Sequence, residues 1–412
     1  ILLYDKLIIL SIFMLRIIKL YNSVIFYFTK KYISYSSLQS YYTISSNNIN
    51  YLNIVKNYNQ ISVFPKYLKN IGFIFRWKII RRYLKLSINN SDPFLINNKV
   101  SNKFATLIKD DLLLNMSYVV ELNPGYGLLT KDLLQAGINC IHLYENRNMF
   151  YSELYNLQKI FPNRVIITKA NFLKISKLLY IPDKLKYFNE LFNNVSKRKW
   201  EEETYMQIIG TLNNSHFIRH IILSIIFQTG IMINGRIIFY FALPASIWHK
   251  LTCQGKGSFS TYIMFNTLFN YKIFGTLDKK GFLPWPSKKL KKNYKFREID
   301  TFFYVVKLEP KSDIFTLFGE KEQIINFWHF IRHNFYKPSS KIIPTLEKVV
   351  PGCGIRLIKE KNYNIFTEFR QLNMNEIFDL YMDFKSWPEY NQSSFLSSAN
   401  DIKIYFDPYI DS

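Results

Sequence analysis

Between Glu121 and Thr130 the chain reads ELNPGYGLLT: an acid, an Asn-Pro pair and two glycines spaced Gly-x-Gly. These residue types in this order suit a nucleotide-binding turn that leaves a strand and enters a helix. Gly125 and Gly127 permit backbone dihedrals and close approaches that a Cβ would block. A helix starting near Leu128 would turn the partial positive charge of its N-terminus toward a ligand. The third glycine of G-x-G-x-x-G is missing, which argues against a pyrophosphate cofactor. Glu145 lies 18 residues beyond Gly127, at the end of the next apolar run. A carboxylate in that place accepts both hydroxyls of a ribose. A plain βα turn without a ligand uses the same glycines, so turn and acid carry the reading together.

The elements that must hold these groups alternate regularly. After a helical approach over 93–115, SYVVEL (Ser117–Leu122) reads as a buried parallel strand. The helix LLTKDLLQAG follows and ends at Gly137, a residue suited to the C′ position. INCIHLYE is a second strand ending at Glu145, a helix covers about 148–160, and RVIITKA is a third strand ending at Ala170. Residues 176–204 are irregular and charged and read as an insertion loop. MQIIGTL (Met206–Leu212), a helix over 215–229, the strand GRIIFYFA (Gly235–Ala242) and a helix in PASIWHKLTC continue the alternation. Pro-rich FLPWPSKK (Phe282–Lys289) is punctuation before the β run TFFYVVKLEP. This pattern predicts an α/β, Rossmann-like, doubly wound fold. From about 315 the segments turn helical, with a boundary near Glu309–Ser312. The expected organisation is a leader or linker over 1–70, the α/β domain over 71–310 and a smaller helical domain over 311–412.

The chain carries 54 Lys and Arg against 30 Asp and Glu, a net charge of +24. Such a surface attracts polyanions, nucleic acid first among them. Lys outnumbers Arg by 41 to 13, so AT-rich coding bias is a competing source of part of that charge. Two runs concentrate it. FRWKIIRRYLKL (75–86) reads either as a basic amphipathic helix on nucleic acid or as the solvated face of a docking helix. Lys288, Lys289, Lys291, Lys292 and Arg297, interleaved with Tyr294 and Phe296, suit a groove that tracks a single strand and stacks its bases, or else form a solvated loop.

Between Asp5 and Asp92 there is no acid but 13 Lys and Arg. That is the composition of a mitochondrial transit peptide, with an AT-biased tail or a mistranslated upstream exon as the alternative. Asp5, Lys6, Arg16 and Lys19 interrupt the first apolar stretch and argue against a membrane span. Cys140, Cys253 and Cys353 are too dispersed for a disulfide framework or a zinc site. The pairs His216/His220 and His329/His333 have i,i+4 spacing without a carboxylate partner, so no metal site is expected.

VVELNPGYGLLTKDLLQAG, together with YENR and KANFLKI, resembles the ribosomal RNA adenine dimethyltransferase family. The family's turn usually reads E-I-G-P-G-x-G-x-L-T. The Asn123–Pro124 version resembles its mitochondrial transcription factor B branch. Asp92-Pro93-Phe94-Leu95, GRIIFYFALPASIWHKLTC, the F-x-P-x-P of Phe282, Pro284 and Pro286, and the helical tail LFGEKEQIINFWHFIRHNF agree in order, over roughly 90–390. The resemblance implies a Rossmann-like S-adenosylmethionine-dependent methyltransferase domain with a helical C-terminal domain. It implies that Glu121, Asn123, Gly125 and Gly127 shape the cofactor site, that Glu145 holds the ribose, and that Asn171 stands where an Asp usually meets the adenine amine.

The family's base-holding N-L-P-Y at the end of the fourth strand is replaced by Thr211-Leu212-Asn213-Asn214. Thr211 and Asn213 or Asn214 are left as oxygen donors, and Phe282 as one face of a base sandwich or as an ordinary core ring. Two functions follow. One is a mitochondrial transcription initiation factor in the matrix or nucleoid, a monomer that helps mitochondrial RNA polymerase melt promoter DNA. The other is S-adenosylmethionine-dependent N6,N6-dimethylation of adenines in small-subunit ribosomal RNA. A methyltransferase for another substrate is a third, since the fold hosts many chemistries.

Overall fold

The computed structural model describes residues 93–114, 118–172, 197–253, 259–283, 301–335 and 339–399. The backbone divides into two units, 1–60 and 61–412, and every described residue belongs to the second. The leader, the basic run 75–86, Asp92, Pro284, Pro286, and Lys288, Lys289, Lys291, Lys292 and Arg297 all lie outside the described residues.

A short strand β1 (Phe94–Leu95) leads into helix α1 (Asn98–Leu114). Asn97 caps that helix, its Oδ1 accepting the N–H groups of Lys99 and Val100 at 2.9 and 3.2 Å. Next come β2 (Tyr118–Leu122), α2 (Leu128–Gln135), β3 (Ile141–Glu145), α3 (Tyr151–Ile160) and β4 (Val165–Lys169). After the insertion the chain forms β5 (Met206–Thr211), α4 (His216–Phe227), β6 (Ile237–Pro244) and α5 (Ala245–Thr252). Helix α6 (Phe259–Leu268) and strands β7 (Phe269–Asp278), β8 (Phe282–Leu283) and β9 (Phe302–Pro310) complete the α/β part.

Seven strands form one sheet in the order β4-β3-β2-β5-β6-β9-β7. The five from β4 to β6 run parallel, and β9 is antiparallel to both of its neighbours. The chain winds from β2 to β3 and β4 on one side, then to β5 and β6 on the other. Such a reversal opens a crevice at the carboxyl ends of the strands flanking it, here β2 and β5.

The central strands are almost wholly apolar because both faces are covered. Val119, Ile209, Ile238 and Tyr240 pack toward Phe104, Ile108, Leu129, Leu133 and Leu154 of α1, α2 and α3. Val120, Ile208, Phe239 and Phe241 face the opposite core with Ile218, Ile221 and Ile225 of α4.

The C-terminal helices α7 (Ile314–Phe318), α8 (Lys321–Asn334), α9 (Ile342–Leu346), α10 (Cys353–Lys361) and α11 (Met374–Ser386) join that second core. Phe330, Ile331, Leu380 and Phe384 belong to the same cluster as Val306 and Leu308 of β9. The switch from strand to helix falls at Pro310, but the apolar packing does not break there. The end of the insertion is fastened to this junction. Trp200 Nε1 donates to the Lys311 carbonyl at 3.0 Å, and buried Arg236 donates to the carbonyls of Trp200, Glu202 and Pro310.

The sequence carries no clear element signal over 259–278, where α6 and β7 stand. β7 is an edge strand whose residues 270–273 are exposed, and its register shifts between Ile273 and Gly275. An edge position and a bulge together erase the alternation by which a strand is recognised. Among the described residues, no helix is long and apolar enough to cross a membrane.

Candidate functional site

The turn after β2 is built from left-handed backbone. Asn123 has φ 51°, Gly125 59° and Gly127 70°. Asn is among the few side chains that tolerate this region, and glycine bears no penalty there. Asn123 N–H donates to the Tyr144 carbonyl and Gly127 N–H to the Pro124 carbonyl, each at 3.0 Å, which closes the turn. A Cβ on Gly125 would sit 2.8 Å from Phe94 Cβ, and one on Gly127 would sit 2.9 Å from Leu157 Cδ2. The close approaches that these glycines permit are therefore made by β1 and α3. Helix α2 ends as its sequence predicts. Gly137 lies at φ 108°, its N–H reaches Leu134 O, and Ile138 N–H reaches Leu133 O, the paired bonds of a Schellman motif.

Two carboxylates are buried at this edge. Glu121 is 3% exposed, and its Oε2 accepts the Thr130 hydroxyl at 2.6 Å. Burial raises its pKa to about 7, and the nearby Glu145 adds to the rise. Glu145 is fully buried and saturated. Its Oε1 accepts Asn146 N–H at 3.0 Å, Arg147 N–H at 2.9 Å and Arg147 Nε at 2.9 Å. Its Oε2 accepts Gly125 N–H at 3.2 Å and Arg147 Nη2 at 3.1 Å. The Arg147 guanidinium also lies over the rings of Phe94 and Phe150, at 5.1 and 4.7 Å from their centroids. In the sequence Thr130 and Arg147 stand inside the glycine turn and the YENR segment without a role of their own, and Phe150 carries no signal.

Asn171 follows β4, and its buried Oδ1 has no hydrogen-bond partner among the described residues. A buried acceptor left open is costly unless a donor arrives, and an adenine amine is such a donor. Beside it, Phe172 is buried edge-on to Tyr144 at 5.1 Å. Glu121, Asn123, Gly125, Gly127, Glu145 and Asn171 thus come from the carboxyl ends of three adjacent strands.

The end of β5 is different. Thr211 is 9% exposed and paired with Ala242 in the sheet. Leu212 turns inward, and its N–H donates to Ala242 O at 3.1 Å. Asn213 and Asn214 are exposed, and Asn214 Oδ1 accepts His216 N–H at 3.0 Å, helping to start α4. No ring stands in Thr211–Asn214. Phe282, read as one face of a base sandwich, is 1% exposed and packs edge-on to Phe303 at 4.8 Å. It pairs with Leu95 across the small β1–β8 sheet, so the fold makes it a core ring that fastens the approach segment. In this position the ring packs as an ordinary core ring.

Of the histidines, His220 Nε2 lies 3.4 Å from Ser224 Oγ, and His329 Nε2 lies 2.9 Å from Ser398 Oγ. Burial lowers the pKa of both to about 4.

Strand order and crevice define a Rossmann-like α/β protein of the methyltransferase type. No family model matches the chain. A Drosophila melanogaster protein, dimethyladenosine transferase 2, mitochondrial, is 30% identical over 332 residues, covering 69% of this chain and 73% of that protein. The Rattus norvegicus protein of the same name is 24% identical over 264 residues, covering 59% of this chain and 64% of its own length. The crystal structure of a dimethyladenosine transferase from Plasmodium falciparum matches at TM-score 0.45 and 13% identity, covering 71% of this chain and 97% of that one. On the strength of the Drosophila relative, the chain belongs to the ribosomal RNA adenine dimethyltransferase family, the one that its glycine turn resembles.

Proposed function

We propose that this protein works in mitochondria as a nucleic-acid-binding member of its family, and that its main role is to assist mitochondrial RNA polymerase in melting promoter DNA. The observation that carries this reading is the end of β5. Thr211 is tied into the sheet, Asn214 serves a helix start, and Thr211–Asn214 holds no aromatic ring for a flipped adenine, with Phe282 packed in the core. Positioning dominates methyl transfer, so a site without its base clamp loses most of its catalytic power. The net charge of +24 supports a polyanionic partner. The relatives' names support mitochondria. The matrix nucleoid and a monomeric state belong to the same proposal.

A second reading is favoured by the open acceptor on Asn171 and by the names of the relatives: N6,N6-dimethylation of adenines in mitochondrial small-subunit ribosomal RNA. S-adenosylmethionine, when bound, supplies an electrophilic methyl group on its sulfonium. Glu121, Gly125 and Gly127 would shape its pocket, Glu145 would take its ribose and Asn171 its adenine amine.

Both readings are tested on the purified full chain, by promoter opening with its polymerase and by methyl transfer to a ribosomal RNA helix. Opening that survives Asn171→Ala, with weak or no methyl transfer, is expected. Methyl transfer with no effect on initiation would overturn the first reading.

A further inference from the structure

The carboxylate that a nucleoside's ribose would use is already occupied by the protein. Five donors converge on Glu145, three of them from Arg147. An ionised carboxylate offers about four lone-pair sites, so none is spare for a further donor. The Arg147 side chain is 20% exposed, while that of Glu145 has no exposure. Arg147 therefore stands between the carboxylate and solvent, with its guanidinium over Phe94 and Phe150. Those rings also enclose the glycine turn. Phe94 lies against Gly125, and Tyr126 packs edge-on to Phe150 at 4.9 Å.

A vicinal diol needs the same two oxygens that Arg147 Nε and Nη2 hold. Both cannot be satisfied at once, so a ribose binds here only by displacing the guanidinium. The backbone donors do not compete in this way. The N–H groups of Gly125, Asn146 and Arg147 approach from the turn and the strand end and persist when the side chain leaves.

We propose that Arg147 is an internal occupant of the ribose subsite, so that nucleoside ligands carrying a 2′,3′-diol are admitted only when its side chain swings away from Glu145. This rests on the reading that the crevice takes an adenosyl ligand. Asn171 supports that reading independently, because its acceptor is open while that of Glu145 is filled. The two ends of one nucleoside site are thus in opposite states, with the base end open and the sugar end closed by an arginine.

The test compares binding of S-adenosylhomocysteine with binding of its 2′,3′-dideoxy counterpart by calorimetry, using the full chain. Arg147→Leu keeps apolar cover over Phe94 and Phe150 and removes the competing donors. We expect it to bind the diol ligand at least tenfold more tightly than the parent, with less than a twofold change for the dideoxy ligand. Arg147→Lys, which keeps the charge but lacks the planar fork, should gain about threefold for the diol ligand alone, and it serves if the Leu variant does not fold.

Equal or weaker binding of the diol ligand by the variants would overturn the proposal, as would an equal gain for both ligands. Failure of parent and variants alike to bind either ligand would also overturn it. Promoter opening is measured separately on DNA, so that outcome leaves the functional reading to its own experiment.

Discussion

The carboxyl ends of β2 and β3 and the carboxyl end of β5 share one edge of one sheet, yet they are built in opposite ways. The first is over-determined. Three left-handed residues, two buried carboxylates and an arginine under two rings fix each other, and the protein fills the spaces that its glycines leave. The second is sparse, with Thr211 held by the sheet and two exposed asparagines, of which Asn214 helps to start a helix. On the proposed function, a pocket can thus keep the architecture of its cofactor side without the residues that would present a substrate to it. Retention on one side says little about chemistry on the other, because the first side also holds the fold together.

The sharpest way to break this contrast is Gly125→Val. It adds a Cβ 2.8 Å from Phe94 in a left-handed backbone, and the dihedral penalty and overpacking together should cost about 3 kcal/mol. Urea denaturation measures it, and a loss under 1 kcal/mol would show that the turn is looser than its geometry.

Next is Glu121→Gln. With a folded pKa of about 7, above the unfolded carboxylate value, the native state holds its proton while the unfolded state releases it. Stability therefore falls as pH rises from about 4.5 to 7 and then levels off, a loss of about 3 kcal/mol from this one group. The Gln variant should lack that fall, so the two denaturation curves diverge across that window. Parallel curves would place the negative charge elsewhere.

His220 on α4, the helix that leaves the open end, has its pKa lowered to about 4 by burial. The native state keeps it neutral, so stability present above pH 6.5 is lost as pH falls toward 4, by about 3 kcal/mol. His220→Gln should flatten that acid limb. Smallest of all is Asn213→Ala, exposed at the end of β5, expected to change stability by less than about 0.5 kcal/mol. A larger loss would mean that this end is structurally committed too, and the contrast with the glycine turn would fail.

The strands of the parallel core were legible because burial on both faces leaves unbroken apolar runs such as YVVEL and IIFYFALP. The Gly137 stop was legible because few residues accept φ 108°. The bulged edge strand β7 was not, since half its residues face solvent and its register shifts midway. Nor was the role of Phe282. Its motif marks a Pro-rich punctuation, but whether the ring meets a base or the Phe303 ring depends on how β8 pairs with β1, almost two hundred residues earlier in the chain.

For the glycine turn, the sequence alone determined its place, its backbone and its acid at Glu145, because these depend on residue types within a short span and on local sterics. Only the tertiary structure decided what fills the space that those residues create. Phe94, Leu157 and the Arg147 guanidinium reach it from different elements, and a contact between distant segments leaves no periodicity to read. The acid was visible as a ribose acceptor, and the fold shows it holding an arginine.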